Sequence, residues 1–128
     1  MMYLWIAVGS ALGGIARYWL TGAIVQRIDT TFPWETLIIN ILGSFIIGAF
    51  SAITSTDGKL IMSPEMRQFV MVGLCGGYTT FSTFSLQTLF LLQDGEFLQA
   101  GCNVLLSVIL CLIFVWAGHL LAALFNQI

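Results

Sequence analysis

Gln68–Gln93, QFVMVGLCGGYTTFSTFSLQTLFLLQ, carries no charge, yet its centre reads Gly76-Gly77-Tyr78-Thr79-Thr80-Phe81-Ser82-Thr83-Phe84-Ser85. The run is long enough to cross a bilayer, which takes roughly 20 apolar residues in a helix. Two adjacent glycines weaken a helix, and three β-branched threonines follow within six residues. With a start near Pro64 and an end near Gln93, Tyr78 falls at the middle, roughly 20 Å from either end at helical rise. That is close to the bilayer midplane. Irregular backbone at such depth is tolerated only inside protein or against water. Its freed carbonyls need partners. A small cation is one, since broken helices are a recurring device for ion sites. A glycine kink patched by its own hydroxyls is the other, and for this motif alone it is the simpler reading.

The flanking sequence supplies three more apolar stretches. Tyr3–Val25 holds one charge, Arg17; Thr36–Thr56 holds none; Phe97–Ile128 holds none and has His119 near its far end. The chain therefore reads as one all-α membrane domain, residues 1–128, with spans at about 3–25, 34–56, 65–93 and 97–124. The linkers carry helix punctuation. Pro33 suits a first helical turn. Asp57-Gly58-Lys59 and Asp94-Gly95-Glu96 are turns. Ser63-Pro64-Glu65 offers an N-cap serine, a proline at the first helical position and an acid in the first turn. Gly9 and Gly13, and Ser44 and Gly48, are spaced by four, which lets helix backbones approach closely in lipid.

Composition points the same way. Of 128 residues, 59% are apolar and 8% charged, and ten charges cannot clothe a soluble globule of this size. The mean hydropathy is +0.98. Disorder needs low hydrophobicity and is excluded. Nucleic-acid binding is disfavoured, because four Lys and Arg neutralise few phosphates. Cys75, Cys102 and Cys111 sit in apolar runs without metal-ligand spacing and read as small hydrophobes. The first positive charge is Arg17, so residues 1–9 lack the basic start of a secretory signal.

Positive residues near span ends set orientation. Lys59 and Arg67 lie on the N-terminal side, Arg27 and the nearer Arg17 on the other. A near tie gives the chain little reason to prefer one direction. Insertion in both orientations, and with it an antiparallel homodimer, stands level with a weak bias that still decides one.

Polar side chains recur inside the spans. Thr79, Thr83 and Gln87 step by four beside Phe81 and Phe84, which are three apart; Asn103, Ser107 and Cys111 step by four in span four; Asn40 lies about 10 Å into span two. Polar residues within spans tend to face the bundle interior. No Asp, Glu or Lys lies within the four apolar stretches Tyr3–Val25, Thr36–Thr56, Gln68–Gln93 and Phe97–Ile128. A proton-coupled transporter keeps an intramembrane acid, and a conduit for multivalent cations uses acidic rings. Hydroxyl and amide donors with one arginine suit a small anion. Aromatic ring edges carry partial positive charge and can face it too. Fluoride, the smallest, gains most from such a lining.

Thr36-Leu-Ile-Ile-Asn40-Ile-Leu-Gly43-Ser44-Phe45, followed by Gly73-Leu-Cys-Gly76-Gly77-Tyr78-Thr79-Thr80-Phe81-Ser82-Thr83-Phe84-Ser85, closely resembles the Fluc (CrcB) fluoride channels. Gly13-Gly14-Ile-Ala-Arg17-Tyr18 is similar to that family's first-span signature. The resemblance covers essentially the whole chain. It implies an antiparallel, dual-topology homodimer in the bacterial inner membrane, with two pores that passively export cytoplasmic fluoride. Fluoride arrives as HF, dissociates and is trapped as the anion. By resemblance, Phe81 and Phe84 are pore phenylalanines and Asn40 the pore amide. Ser82, Thr83 and Ser107 belong to the hydroxyl track, and Arg17 lies near the vestibule. Backbone carbonyls of Gly76 and Thr79 hold a central structural sodium at the dimer interface. Two positions depart from the pattern. Asn103 stands where many members have tyrosine, and Gln87 where many have glutamate six residues after the first phenylalanine.

A small multidrug-resistance-type exporter shares the size and span count. It needs a first-span carboxylate, and this span has Arg17 and no acid. A purely structural subunit has no use for the midplane break. An enzyme is disfavoured, because no nucleophile–base pair or metal cluster stands out.

Overall fold

The computed structural model describes residues 1–128. It is all-helical: α1 (Met2–Val25), α2 (Trp34–Ile53), α3 (Pro64–Gln68), a π-helical segment (Phe69–Cys75), α4 (Gly76–Tyr78), α5 (Phe81–Gln93) and α6 (Phe97–Gln127). By length and composition three helical stretches can cross a membrane: Trp34–Ile53, Pro64–Gln93 and Phe97–Gln127. With 24 residues, α1 reaches about 36 Å at helical rise. Arg17, two tyrosines, two tryptophans and four glycines keep it less apolar than the other three.

The connections follow the local chemistry. Ser63 caps α3 by accepting the Met66 N–H at 3.3 Å, and Pro64 takes the first helical position. Pro33 sits one step earlier than a first-turn proline, at the N-cap of α2. At the end of α5, Gly95 adopts φ +79°. The Glu96 N–H then reaches Leu91 O at 2.8 Å and the Gly95 N–H reaches Leu92 O at 3.2 Å. This closes a Schellman motif that requires a residue free of a Cβ penalty. The turn after α2 is tied to the end of α6: the Lys59 N–H donates to Asn126 Oδ1 at 3.1 Å, and Asn126 Nδ2 donates to Ala52 O at 2.9 Å.

Two helix pairs form the body, and both use missing side chains. A Cβ on Gly48 would stand 2.1 Å from Val115 O, and one on Gly118 2.2 Å from Phe45 O, so α2 and α6 meet backbone to backbone. Gly9, Gly13 and Gly77 do the same for α1 against the π segment and α4. Close approach of this kind replaces a hydrophobic driving force that lipid does not supply. Only 19 of 128 residues are buried, and large aliphatic side chains of α6 such as Leu105, Leu112 and Leu121 face outward.

The third long helix is broken, as the sequence implied, but at Thr79–Thr80. Gly76 keeps helical angles (φ −65°, ψ −36°), whereas Thr79 (φ −80°, ψ 160°) and Thr80 (φ −152°, ψ 109°) are extended. The adjacent glycines therefore do not make the break. Gly77 lets the helix press against Ser10, whose carbonyl oxygen a Cβ would meet at 2.5 Å.

Candidate functional site at the helix break

Asn40 on α2 pins the extended pair. Its Nδ2 donates to Thr80 O at 3.0 Å, and its Oδ1 accepts the Thr80 N–H at 2.8 Å. One amide thus satisfies both backbone groups of Thr80, as a low-dielectric interior demands. Thr80 then restarts the helix as N-cap of α5, its Oγ1 accepting the Thr83 N–H at 3.1 Å. The same hydroxyl donates to Thr83 Oγ1 at 2.9 Å and lies 3.3 Å from Ser82 Oγ. On the other side of the break, Thr79 Oγ1 donates to Cys75 O at 2.9 Å. Arg17 Nε on α1 donates to Gly77 O at 3.2 Å. Side-chain donors thus occupy the Gly77 and Thr80 carbonyls, while those of Gly76 and Thr79 receive none.

A cavity of about 400 Å³ opens at this point, lined by Asn40, Gly76, Thr79, Thr80, Phe81, Phe84 and Ser107 among others, with no charged side chain. The Phe81 and Phe84 rings lie 5.1 Å apart at 54°. Phe84 is 7% exposed and Phe81 76%, so one ring is set in the chain and the other projects from it. A second cleft of about 290 Å³ holds Arg17, Thr83, Glu35 and Gln87, and Thr80 lines both spaces.

Most of the expected residues are therefore brought together, in two neighbouring spaces. Asn40, Phe81, Phe84, Ser107, Gly76 and Thr79 share the first; Arg17 and Thr83 share the second. Ser82 lines neither and is exposed. The stripe of Thr79, Thr83 and Gln87 does not survive as one face, because the break falls inside it. Thr79 opens on one space, and Thr83 with Gln87 on the other.

A family model described as "CrcB-like protein, Camphor Resistance (CrcB)" matches residues 4–119. The chain belongs to the CrcB-like family. It is similar to the "Fluoride-specific ion channel FluC" of Rhodospirillum rubrum, at 57% identity over 99% of this chain and 98% of that one. It is also similar to the proteins of the same description from Methylocella silvestris, at 53% over 99% and 97%, and Paramagnetospirillum magneticum, at 54% over 99% of each.

Asn103 and Gln87 both have defined partners. Asn103 is 1% exposed, and its Nδ2 donates to Thr88 Oγ1 at 2.9 Å while Ser107 Oγ approaches its Oδ1 at 3.4 Å. Thr88 in turn donates to Phe84 O at 2.8 Å. Asn103 thus clamps α6 to the turn of α5 that carries Phe84, and only Ser107 and Cys111 of its stripe reach the cavity. Gln87 Nε2 donates to Glu35 Oε1 at 2.8 Å. Thr80 and Glu35 were missed by sequence reasoning. Thr80 was legible as a capping threonine three residues before another donor, Thr83; Glu35 lies near a span end, where a carboxylate reads as an ordinary first-turn acid.

Proposed function

We propose that this multi-pass bacterial membrane protein is a fluoride-selective channel that passively exports cytoplasmic fluoride and so relieves its toxicity. The observation that carries the reading is the uncharged cavity at the break, where an amide, hydroxyls and two phenylalanine rings converge without a carboxylate. The described similarity to fluoride-specific channels over nearly the full chain supports it. Fluoride sheds a tightly held shell, so it needs several donors, each weak enough to let it leave. The second Asn40 N–H, the Thr83 hydroxyl and ring C–H edges supply such donors, whereas the Thr79, Thr80 and Ser107 hydroxyls join only by releasing the bonds they give within the chain. Arg17, whose Nε is engaged with Gly77 O, presents the rest of its guanidinium to the adjoining cleft and draws anions there. The process is transport, with no bond made or broken by the protein.

The functional unit in this reading is an antiparallel homodimer of dual topology. Phe81 supports it: a ring 76% exposed beside an open cavity is the surface a second copy covers. The near-equal positive charge on the two sides supports it as well. Cysteine at Lys59 should therefore be labelled by an impermeant thiol reagent from both faces of intact cells, in comparable amounts. Labelling from one face only would sink dual topology. Lys59 suits the test, because its ammonium rests over the Phe125 ring at 4.6 Å, outside the cavity.

A structural sodium fits the same unit. The carbonyls of Gly76 and Thr79 carry no side-chain donor, unlike their neighbours at Gly77 and Thr80. No cluster of His, Cys, Asp or Glu suited to a metal is present, so backbone oxygens are the available ligands. The ion would neutralise their partial charge and join two breaks across a two-fold axis. The expected result is fluoride efflux from proteoliposomes in sodium, with chloride retained. Replacing sodium by a large organic cation throughout should reduce efflux and lower the thermal stability of the dimer. Efflux of neither anion would overturn the channel reading. Unaltered efflux and dimer melting without sodium would overturn the ion alone.

A further inference from the structure

Glu35 stands where two clefts adjoin. The inner one, of about 290 Å³, reaches Arg17, Thr80 and Thr83; the outer one, of about 530 Å³, opens among the connections at that end of the chain. Glu35 and Gln87 alone line both. The two side chains are joined at 2.8 Å, linking α2 to α5 across the junction. From this placement we propose that Glu35 governs how readily an anion reaches the Arg17 cleft from water. The inference rests on the fluoride reading above.

The charges around it are unequal. Toward the inner cleft, α1 presents Arg17 and Tyr18, α2 presents Glu35 itself, and α5 presents only the neutral Thr80, Thr83 and Gln87. Toward the outer cleft stand Asp29 from the α1–α2 connection and Asp94 and Glu96 from the α5–α6 connection, with no basic residue. Arg27 lies against Ala23 O and lines neither. An incoming anion meets carboxylates first and the arginine afterwards. Glu35 is the only one of the carboxylates that reaches the inner space, so it acts at the shortest range, where salt screens least.

Its hydrogen bond adds a second effect. The Gln87 amide N–H donates a hydrogen bond to Glu35 Oε1, and the Gln87 Oε1 is buried with no donor of its own. What the pair presents to the two clefts is thus the Glu35 carboxylate, an acceptor where an anion needs donors. Asn103 and the phenylalanines tune what happens inside the cavity; the Glu35–Gln87 pair sets what reaches it. Its charge lowers the local anion concentration and holds back efflux, the reverse of attractive steering in a cleft of one sign.

Glu35→Gln tests this. The substitution keeps an acceptor for the Gln87 amide at the same length, so the link between α2 and α5 persists. Fluoride efflux from proteoliposomes is measured with wild type, Glu35→Gln and Asp94→Asn at two ionic strengths, each confirmed as the dimer by gel filtration. The expected result at low salt is a gain of about three- to tenfold for Glu35→Gln and a smaller one for Asp94→Asn, which lines only the outer cleft. Near 1 M salt, where the screening length is about 3 Å, the gains should shrink toward unity. Equal or reduced efflux in Glu35→Gln at low salt overturns the proposal while leaving the channel reading intact. A gain that persists undiminished at high salt also overturns it, because the effect would not be electrostatic. Absence of fluoride efflux from wild type overturns both.

Discussion

Phe81→Ile and Phe84→Ile should each remove nearly all fluoride efflux while the dimer still assembles. Isoleucine keeps the hydrophobicity and much of the volume but lacks the electropositive ring edge. Each C–H contact is weak, about 1 kcal/mol or less. The rings therefore act with Asn40 and the hydroxyls, as a narrow constriction from which an ion can leave. The two positions also separate chemistry from helix packing. Phe84 is 7% exposed and Phe81 76%. If the rings served only to fill space within the chain, Phe84→Ile would destabilise by up to about 1.5 kcal/mol and Phe81→Ile would do almost nothing. Flux loss of similar size at both sites, with gel-filtration profiles unchanged, is the chemical signature. Wild-type efflux in both variants would refute it.

Asn40→Asp should be equally severe, for two reasons the geometry makes distinct. A carboxylate in the otherwise uncharged cavity repels an anion directly. It also loses the donor now given to Thr80 O at 3.0 Å and sets two acceptors against each other. Leaving a buried acceptor unmatched costs about 1–3 kcal/mol, so the break itself should loosen. Efflux should fall below detection, and the melting temperature in detergent should drop. Normal efflux from Asn40→Asp would remove Asn40 from the path. A lower melting temperature with normal efflux would leave it the single task of holding Thr80.

The all-helical class, the interrupted third span and six of the 15 residues that line the cavity were legible because each rests on local properties. Long uncharged runs can satisfy their backbone in lipid only as helices. Ser63, Pro64 and Gly95 act through their own φ, ψ and hydroxyl groups. Tertiary structure decided what depends on a second chain segment. The glycine pair looked like the break, yet Gly77 is used for contact with Ser10, and Thr79–Thr80 opens because Asn40, 40 positions earlier, can replace the lost helix bonds. No periodicity encodes that pairing. Gln87 looked like part of a threonine stripe until the break turned it toward Glu35, and Asn103 looked like part of the path until it met Thr88. The sequence by itself determined which groups exist at which depth in the membrane. Which of them stay free to meet an ion was decided by the fold, because a donor already bonded across a helix interface is no longer available to a passing anion.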